Sequence, residues 1–396
     1  MSSNTNTVEY VKKDLPSSVN KIGFVLLAVG LVMIVLSYFV DHTRSAFNNL
    51  IMLMFLTSVG LGSLFLVAIE YLGGAVWSTP FRRVSEFLAA VLLIAPIIAI
   101  PVYFNLHDIF HWTHVEAVAS DAILKSKSPY LNESFFTIRV IVFFALWLLF
   151  YFLITKNSKK QDETKDQKLT SRNVKLSAVF MPVFALTITF ASIDWIMSLN
   201  PHWFSTIFGV YYFTGTLLAG LAAGTFIIVQ LNENGYLIKG LKKDHYYSLG
   251  ALLFAFTNFW AYIAFSQFML IWYANLPEET IFFMDRFEGS WVYVSIGLIF
   301  IRFVIPYIGL LSQPSKMSAK NLKFFSLWIL FAHFYDLYWL IMPEYSKDGL
   351  VFGWMELGFP IAAIGIIILV FKMKSKNENM IPIGDPKLQR GLDFRL

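Results

Sequence analysis

The sequence predicts an all-α polytopic membrane protein with ten transmembrane helices. Three observations predict it. Hydrophobic residues make up 57% of the 396-residue chain and charged residues only 14%, where a soluble domain holds about 45–50% and about 25%. Ten apolar stretches are long enough to cross a bilayer. The Lys and Arg residues between those stretches fall very unevenly.

The stretches lie near 22–40, 50–70, 87–106, 137–155, 175–194, 205–230, 247–272, 289–311, 323–342 and 351–371. An even number places both termini on one side. Of the 31 Lys and Arg residues, Arg44, Lys125, Lys127, Arg139, Arg286 and Lys347 belong to the opposite side, and Arg302 lies inside the eighth stretch. The rest accompany the termini, so the positive-inside rule puts both termini in the cytoplasm. The chain then divides into a cytoplasmic N-terminal segment 1–21, a membrane domain 22–371 and a cytoplasmic tail 372–396, expected to be polar and extended. No small-residue cleavage signature precedes the first span, so no removable signal peptide is expected. Residues 156–175 are the most charged stretch and read as a flexible cytoplasmic linker, with lipid or partner contact as the lesser reading.

The composition also excludes chemistry. The chain has no cysteine, so it can hold neither an iron–sulfur cluster nor a covalently attached haem c. Of seven histidines only His333 sits well inside a span, which does not support a haem held by two buried imidazoles. The excess of cations is small, and nothing points to nucleic acid. Pro96, Pro101, Pro182 and Pro306 interrupt spans. Gly220-x-x-x-Gly224 in the sixth span, preceded by Gly209, Gly215 and Ala219, permits close helix packing.

Polar residues inside such a chain are the functional candidates, because an unpaired charge in the bilayer costs about 3 kcal/mol or more. The turn between the fifth and sixth spans carries Asp194 and His202, which can face each other, with Trp195, Trp203 and Tyr211 as aromatic walls. Aromatic anchoring at the interface is the plainer reading of those rings. The ninth span places His333 and Asp336 one turn apart. Arg302 keeps its charge and needs a carboxylate or carbonyl partner, for which Asp336 and Glu356 are the obvious candidates. Glu70 closes the second span. These residues suit either ion pairs that fix packing or a proton path across the membrane. On the outer side His107, His111 and His114 share a face if their segment is helical, which is a spacing open to zinc. An amphipathic interfacial helix is the alternative.

Several segments together resemble one family. They are D-W-I-M-S-L-N-P-H-W-F-S-T-I-F-G-V-Y at 194–211, W-S-T-P-F-R-R-V-S-E at 77–86, K-S-P-Y-L-N-E-S-F-F-T-I-R at 127–139, F-S-Q-F-M-L-I-W-Y-A-N-L-P-E-E-T at 265–280 and I-P-I-G-D-P-K-L at 381–388. They resemble ActF, the membrane subunit of bacterial alternative complex III, within the wider NrfD/PsrC-like proteins. The resemblance implies two four-helix bundles plus a flanking helix pair in the bacterial inner membrane. It implies a quinol:cytochrome c oxidoreductase in which this chain carries no cofactor. An ActC-like paralogous membrane subunit, an iron–sulfur subunit, haem c subunits and a terminal oxidase would be partners, and menaquinol the substrate. In that family the quinol site is associated with the paralogue, whose turn reads P-G-W-H-S-T where this chain has P-H-W-F-S-T. A vestigial quinol site or a proton-handling role is therefore what the resemblance implies for Asp194 and His202. A stand-alone secondary transporter and a purely structural scaffold for the paralogue stay open.

Overall fold

Small residues decide where the helices of this protein meet. The computed structural model describes Tyr10 and residues 12–238 and 240–396. Among them are ten helices long and apolar enough to cross a membrane: α1 (Ser17–Val40), α2 (His42–Gly73), α3 (Thr79–Phe104), α4 (Glu133–Thr164), α5 (Gln167–Leu199), α6 (Phe208–Glu233), α7 (Lys243–Ala274), α8 (Trp291–Leu311), α9 (Ala319–Tyr345) and α10 (Trp354–Ser375). The described residues contain no strand. Of the expected N-terminal segment, residues 1–9 and 11 lie outside the described residues.

Helices α2 and α6 form the centre and are buried over most of their length. They pack on each other and both pack on α9 and α5. A Cβ on Gly220 would lie 2.5 Å from the carbonyl carbon of Gly62. The backbones touch there, and only glycine permits it. Gly224 meets nothing closer than 3.9 Å, so the second glycine of that motif does no comparable packing. Helix α1 packs chiefly on α10. A Cβ on Gly30 would lie 2.5 Å from the backbone nitrogen of Ala362, and one on Gly365 2.6 Å from that of Leu27. Large apolar side chains such as Phe24, Phe39, Phe104 and Tyr262 are exposed on the outside of the set, as contact with acyl chains requires.

Prolines shape two spans as expected. Helix α3 passes through a 3₁₀ segment, Ala90–Leu93, and restarts at Ala95 with Pro96 in its first turn. Helix α8 widens into a π-helical stretch, Ile299–Val304, just before Pro306. Pro306 lacks the N–H that would close on the carbonyl of Arg302, and a widened turn is one solution.

Two expectations are corrected. The charged stretch 156–175 is helix rather than flexible linker: α4 runs to Thr164 and α5 starts at Gln167, with only Lys165 and Asp166 between. The stretch is rich in Lys and free of Gly and Pro, so beyond that two-residue break nothing in it stops a helix that has left the apolar layer. The tail is docked rather than extended. Met380 and Ile381 are buried, Asp385 reaches Arg82 at 2.7 Å, and the Gly384 N–H donates to Asp162 at 3.2 Å. His245 donates to the carbonyl of Gly391 at 2.9 Å. Met380 N–H donates to the Tyr10 hydroxyl and Lys372 donates to Leu15, so the described ends share one face, the terminal face. The other is the far face. The tail's polarity suggested solvent, whereas its polar groups answer charges at the ends of α3 and α4.

A Gly220→Val variant is expected to separate α2 from α6 at a cost of about 1–3 kcal/mol, read as a melting temperature several degrees lower in detergent. Gly224→Ala is expected to melt like the parent. Equal melting of the two variants would contradict the backbone contact.

Candidate functional site

The centre of the molecule holds a cluster of polar side chains contributed by α6, α7, α8 and α9. One turn of α9 presents His333 and Asp336 side by side. The π-helical stretch of α8 carries Arg302 inward, where its side chain is fully buried. Arg302 Nη2 donates to His333 Nδ1 at 3.1 Å, and Nη1 donates to the carbonyl of Ile329 at 3.4 Å. Its Nε stands 3.6 Å from Asp336 Oδ2. Tyr211 donates to Asp336 Oδ1 at 2.5 Å and Trp260 Nε1 donates to Oδ2 at 3.1 Å. The guanidinium also lies 5.2 Å from the centroid of the Trp260 ring. Gly215 makes room: a Cβ there would be 3.0 Å from His333 Cε1 and 3.2 Å from Arg302 Nη2.

Chemistry assigns the imidazole. A guanidinium only donates, so His333 Nδ1 accepts with its lone pair and the ring proton of neutral His333 sits on Nε2. Among the described residues that buried Nε2 has no hydrogen-bond partner, and neither has Arg302 Nε. Two unpartnered polar atoms in one interior cluster mark a place for ordered water.

Around this cluster the α2–α6–α9 seam is polar. Ser58 donates to the Tyr212 hydroxyl at 3.0 Å and lies 3.3 Å from the Thr216 hydroxyl. Thr57, Thr225 and Ser326 are buried hydroxyls without partners. At the terminal end of α2, Glu70 accepts from Arg82 at 2.9 Å. Arg82 also reaches Glu86 at 3.4 Å, and Arg83 reaches Glu86 at 3.2 Å and Asp162 at 2.7 Å.

No family model and no curated protein matches the chain.

The turn at 190–213 is not one site. Asp194 accepts two bonds from Arg139, at 2.7 and 3.1 Å, and Arg139 lies 3.9 Å over the Tyr130 ring. His202 donates to Asp121 at 2.6 Å. Asp194 and His202 are thus each held by a different residue of the 105–139 region. The His202 bond, helped by the backbone N–H groups of Leu124 and Ile123, holds the Asp121 carboxyl below its usual range. Burial pushes the Tyr130 phenol up, and the Asp194 charge adds to it. The three aromatics also separate. Trp195 packs on Phe144 and Trp147, Trp203 stacks on Phe282 at 4.0 Å, and only Tyr211 belongs to the central cluster.

Glu356 is not a partner of Arg302. It sits in the first turn of α10, accepts from Arg44 at 2.7 Å through both oxygens and from Asn48 at 3.1 Å, and caps its own helix through Gly353 N–H. The partner of Arg302 is Asp336. The three outer histidines do not share a helical face. The chain forms a short helix at Leu106–Ile109, extends at Phe110 and turns as 3₁₀ at His111–Thr113. His107 pairs with Glu133 at 3.3 Å, and His114 donates to the His107 carbonyl at 2.9 Å. Among the described residues no group of three or more side chains is placed to hold a metal ion.

Sequence reasoning missed the arginines that do the clamping. Arg139 and Arg44 figured only as charges to be counted. The far face carries few cations and each buried acid there needs one, so pairing was legible, but its register was not. Arg286 is a separate device. Pro343 leaves the carbonyl of Trp339 without its helical donor, and buried Arg286 donates to it at 3.2 Å and to Leu340 at 2.7 Å. Burial pulls Arg286 down to about 10, so it stays charged at neutral pH.

Removing one member of the Arg139–Asp194 pair leaves a buried charge uncompensated. Arg139→Met is expected to lose about 3–5 kcal/mol of stability, and adding Asp194→Asn is expected to recover most of it in a thermal melt. A double variant as unstable as the single one would show that the pair is not the reason.

Proposed function

We propose that this chain is a cofactor-free integral membrane subunit of a menaquinol-oxidising respiratory complex of the alternative complex III type, where it supports assembly and carries protons through its interior. The observation that carries the reading is the Arg302–His333–Asp336–Tyr211 cluster, set in a polar seam that leads towards Glu70. His333 Nε2 and Arg302 Nε, buried without partners among the described residues, supply polar atoms that water or a proton can meet.

The chemistry available is a relay gated by Arg302. In the arrangement present, Arg302 occupies the lone pair of His333 Nδ1. If the guanidinium closes the 3.6 Å gap to Asp336, that lone pair is freed and His333 can take a second proton. The imidazolium then releases its Nε2 proton, and the Nδ1 proton passes to Nε2 by tautomer exchange or a ring flip before Arg302 returns to the Nδ1 lone pair. Asp336 is held by Tyr211 and Trp260 throughout and provides the counter-charge. A His is suited to this because its ordinary titration lies near neutral pH.

The partners implied are an ActC-like membrane subunit, which would hold the quinol, an iron–sulfur subunit, haem c subunits and a terminal oxidase. The terminal face is the cytoplasmic one under the positive-inside rule, in the inner membrane of a bacterium. Two four-helix bundles flanked by α1 and α10 is the arrangement we assign, and the glycine-lined α1–α10 contact supports it. Asp194, clamped by Arg139, has the geometry of a structural ion pair, which favours a scaffold role for that turn.

Purification from native membranes is expected to bring down subunits with iron–sulfur and haem c spectra. Asp336→Asn should lower the melting temperature, and in the complex that assembles it should lower proton movement coupled to quinol oxidation by at least about tenfold. Normal coupling in an assembled Asp336→Asn complex would refute the relay.

A further inference from the structure

Tyr211 and Trp260, the two donors to Asp336, have a second exposure. They form part of the wall of a cavity of about 600 Å³ between α7, α8 and the short helix Pro277–Phe287. Phe268, Phe282, Phe283 and Trp339 complete its aromatic walls. Tyr262 and Phe265 stand at its edge and are exposed on the outer, apolar surface. The cavity therefore opens sideways, to where acyl chains lie. Its size is that of a small-molecule site, typically about 300–1,000 Å³.

The lining contains no Lys, Arg, Asp or Glu, so it does not suit a phosphate or carboxylate head. It contains one polar group that the protein leaves unanswered. Gln267 is 4% exposed, lies in the wall, and its Oε1 has no hydrogen-bond partner among the described residues. A buried amide oxygen in that condition calls for a donor from a ligand or water.

We propose that this cavity binds a neutral membrane amphiphile with a flat, oxygen-bearing ring of the quinone type. The ring lies between the aromatic walls, where offset stacking is favourable. Its oxygen meets the Gln267 amide, and its apolar tail leaves past Tyr262 and Phe265. The amide carries both an acceptor and donors, so it can meet the hydroxyl of the reduced form or the carbonyl of the oxidised form. An acyl chain of a glycerolipid could fill the same volume, but it has no use for the amide and gains less from rings on both sides. The bound ring would touch Tyr211 and Trp260, and so the two groups that hold Asp336. The choice of a quinone-type ring rests on the respiratory reading above; the cavity and its orphan amide do not.

The test uses the full-length chain purified in detergent, with a naphthoquinone carrying one isoprenoid unit, in reduced and oxidised forms, and dioleoylglycerol as the glycerolipid probe. Binding is read by native mass spectrometry and by quenching of tryptophan fluorescence. The reduced probe is expected to bind with one equivalent. Gln267→Leu should weaken it about tenfold, and Ala264→Phe, which fills the cavity from its open side, should abolish it while both variants melt like the parent. Naphthoquinol binding that ignores both variants, no binding at all, or equal binding of dioleoylglycerol with the same response to Ala264→Phe would overturn the proposal. The two readings fail separately. Binding at Gln267 in a chain that purifies without iron–sulfur and haem partners removes the respiratory assignment and keeps the site. Partners present with binding insensitive to the variants removes the site and keeps the assignment.

Discussion

A guanidinium in the middle of an apolar helix set cannot shed its charge, and the interior around Arg302 is arranged to answer it. Four helices contribute. The α8 backbone widens by a π-turn to carry the side chain inward, α6 supplies glycine at 215 so that the head fits, and α9 supplies His333 and Asp336. Helix α7 supplies Trp260, which both donates to the carboxylate and faces the cation. Each of these choices makes sense only because the neighbouring charge exists. The low dielectric of the interior makes such a pair strong when complete and damaging when broken.

Much of this was legible in the sequence, but unevenly. All ten spans could be read from apolar length alone, because a bilayer sets a fixed width and backbone groups within it must be satisfied along the helix. The His333–Asp336 spacing and the need of Arg302 for a carboxylate were also legible, since both are local. What was not legible was which acid answers which base across the bundle. Glu356 lies next in sequence to the Arg302 group, yet the first turn of α10 sits at the far face, level with Arg44. Asp194 and His202 are eight residues apart, yet Asp194 finds its partner near the start of α4 and His202 in the loop before it. The tail and the 156–175 stretch were misread for another reason. Polarity reports contact with water or with charge, and composition does not distinguish the two.

The distances themselves separate two kinds of arginine in this protein. Arg139 and Arg44 each hold their acid with two short bonds, at 2.7 and 3.1 Å and at 2.7 Å twice. Such forks are geometrically committed, because moving either one breaks both bonds at once. Arg286 stops 3.6 Å short of a carboxylate, Glu344, but it makes short bonds to the carbonyls of Phe282 and Leu340 and a further one to Trp339, which Pro343 leaves free. Arg302 is different. It makes one bond to a neutral imidazole, one long bond to a carbonyl, and stops 3.6 Å short of its carboxylate. Its Nε is left over.

That looseness is the basis for assigning function to the centre and architecture to the rims. A group that must move between two partners cannot be bound tightly to either. In the centre, the alternative partner is already within a side-chain rotation, and the backbone next to it is a π-turn rather than a regular helix. At the rims the further bonds, from Arg139 to the Tyr130 carbonyl and from Asn48 and Gly353 to Glu356, add to the forks rather than compete with them. The same protein thus uses one residue type as a fork where helix ends are fixed and as a loosely held cation in its centre, and the difference lies in the number of bonds each arginine would have to give up.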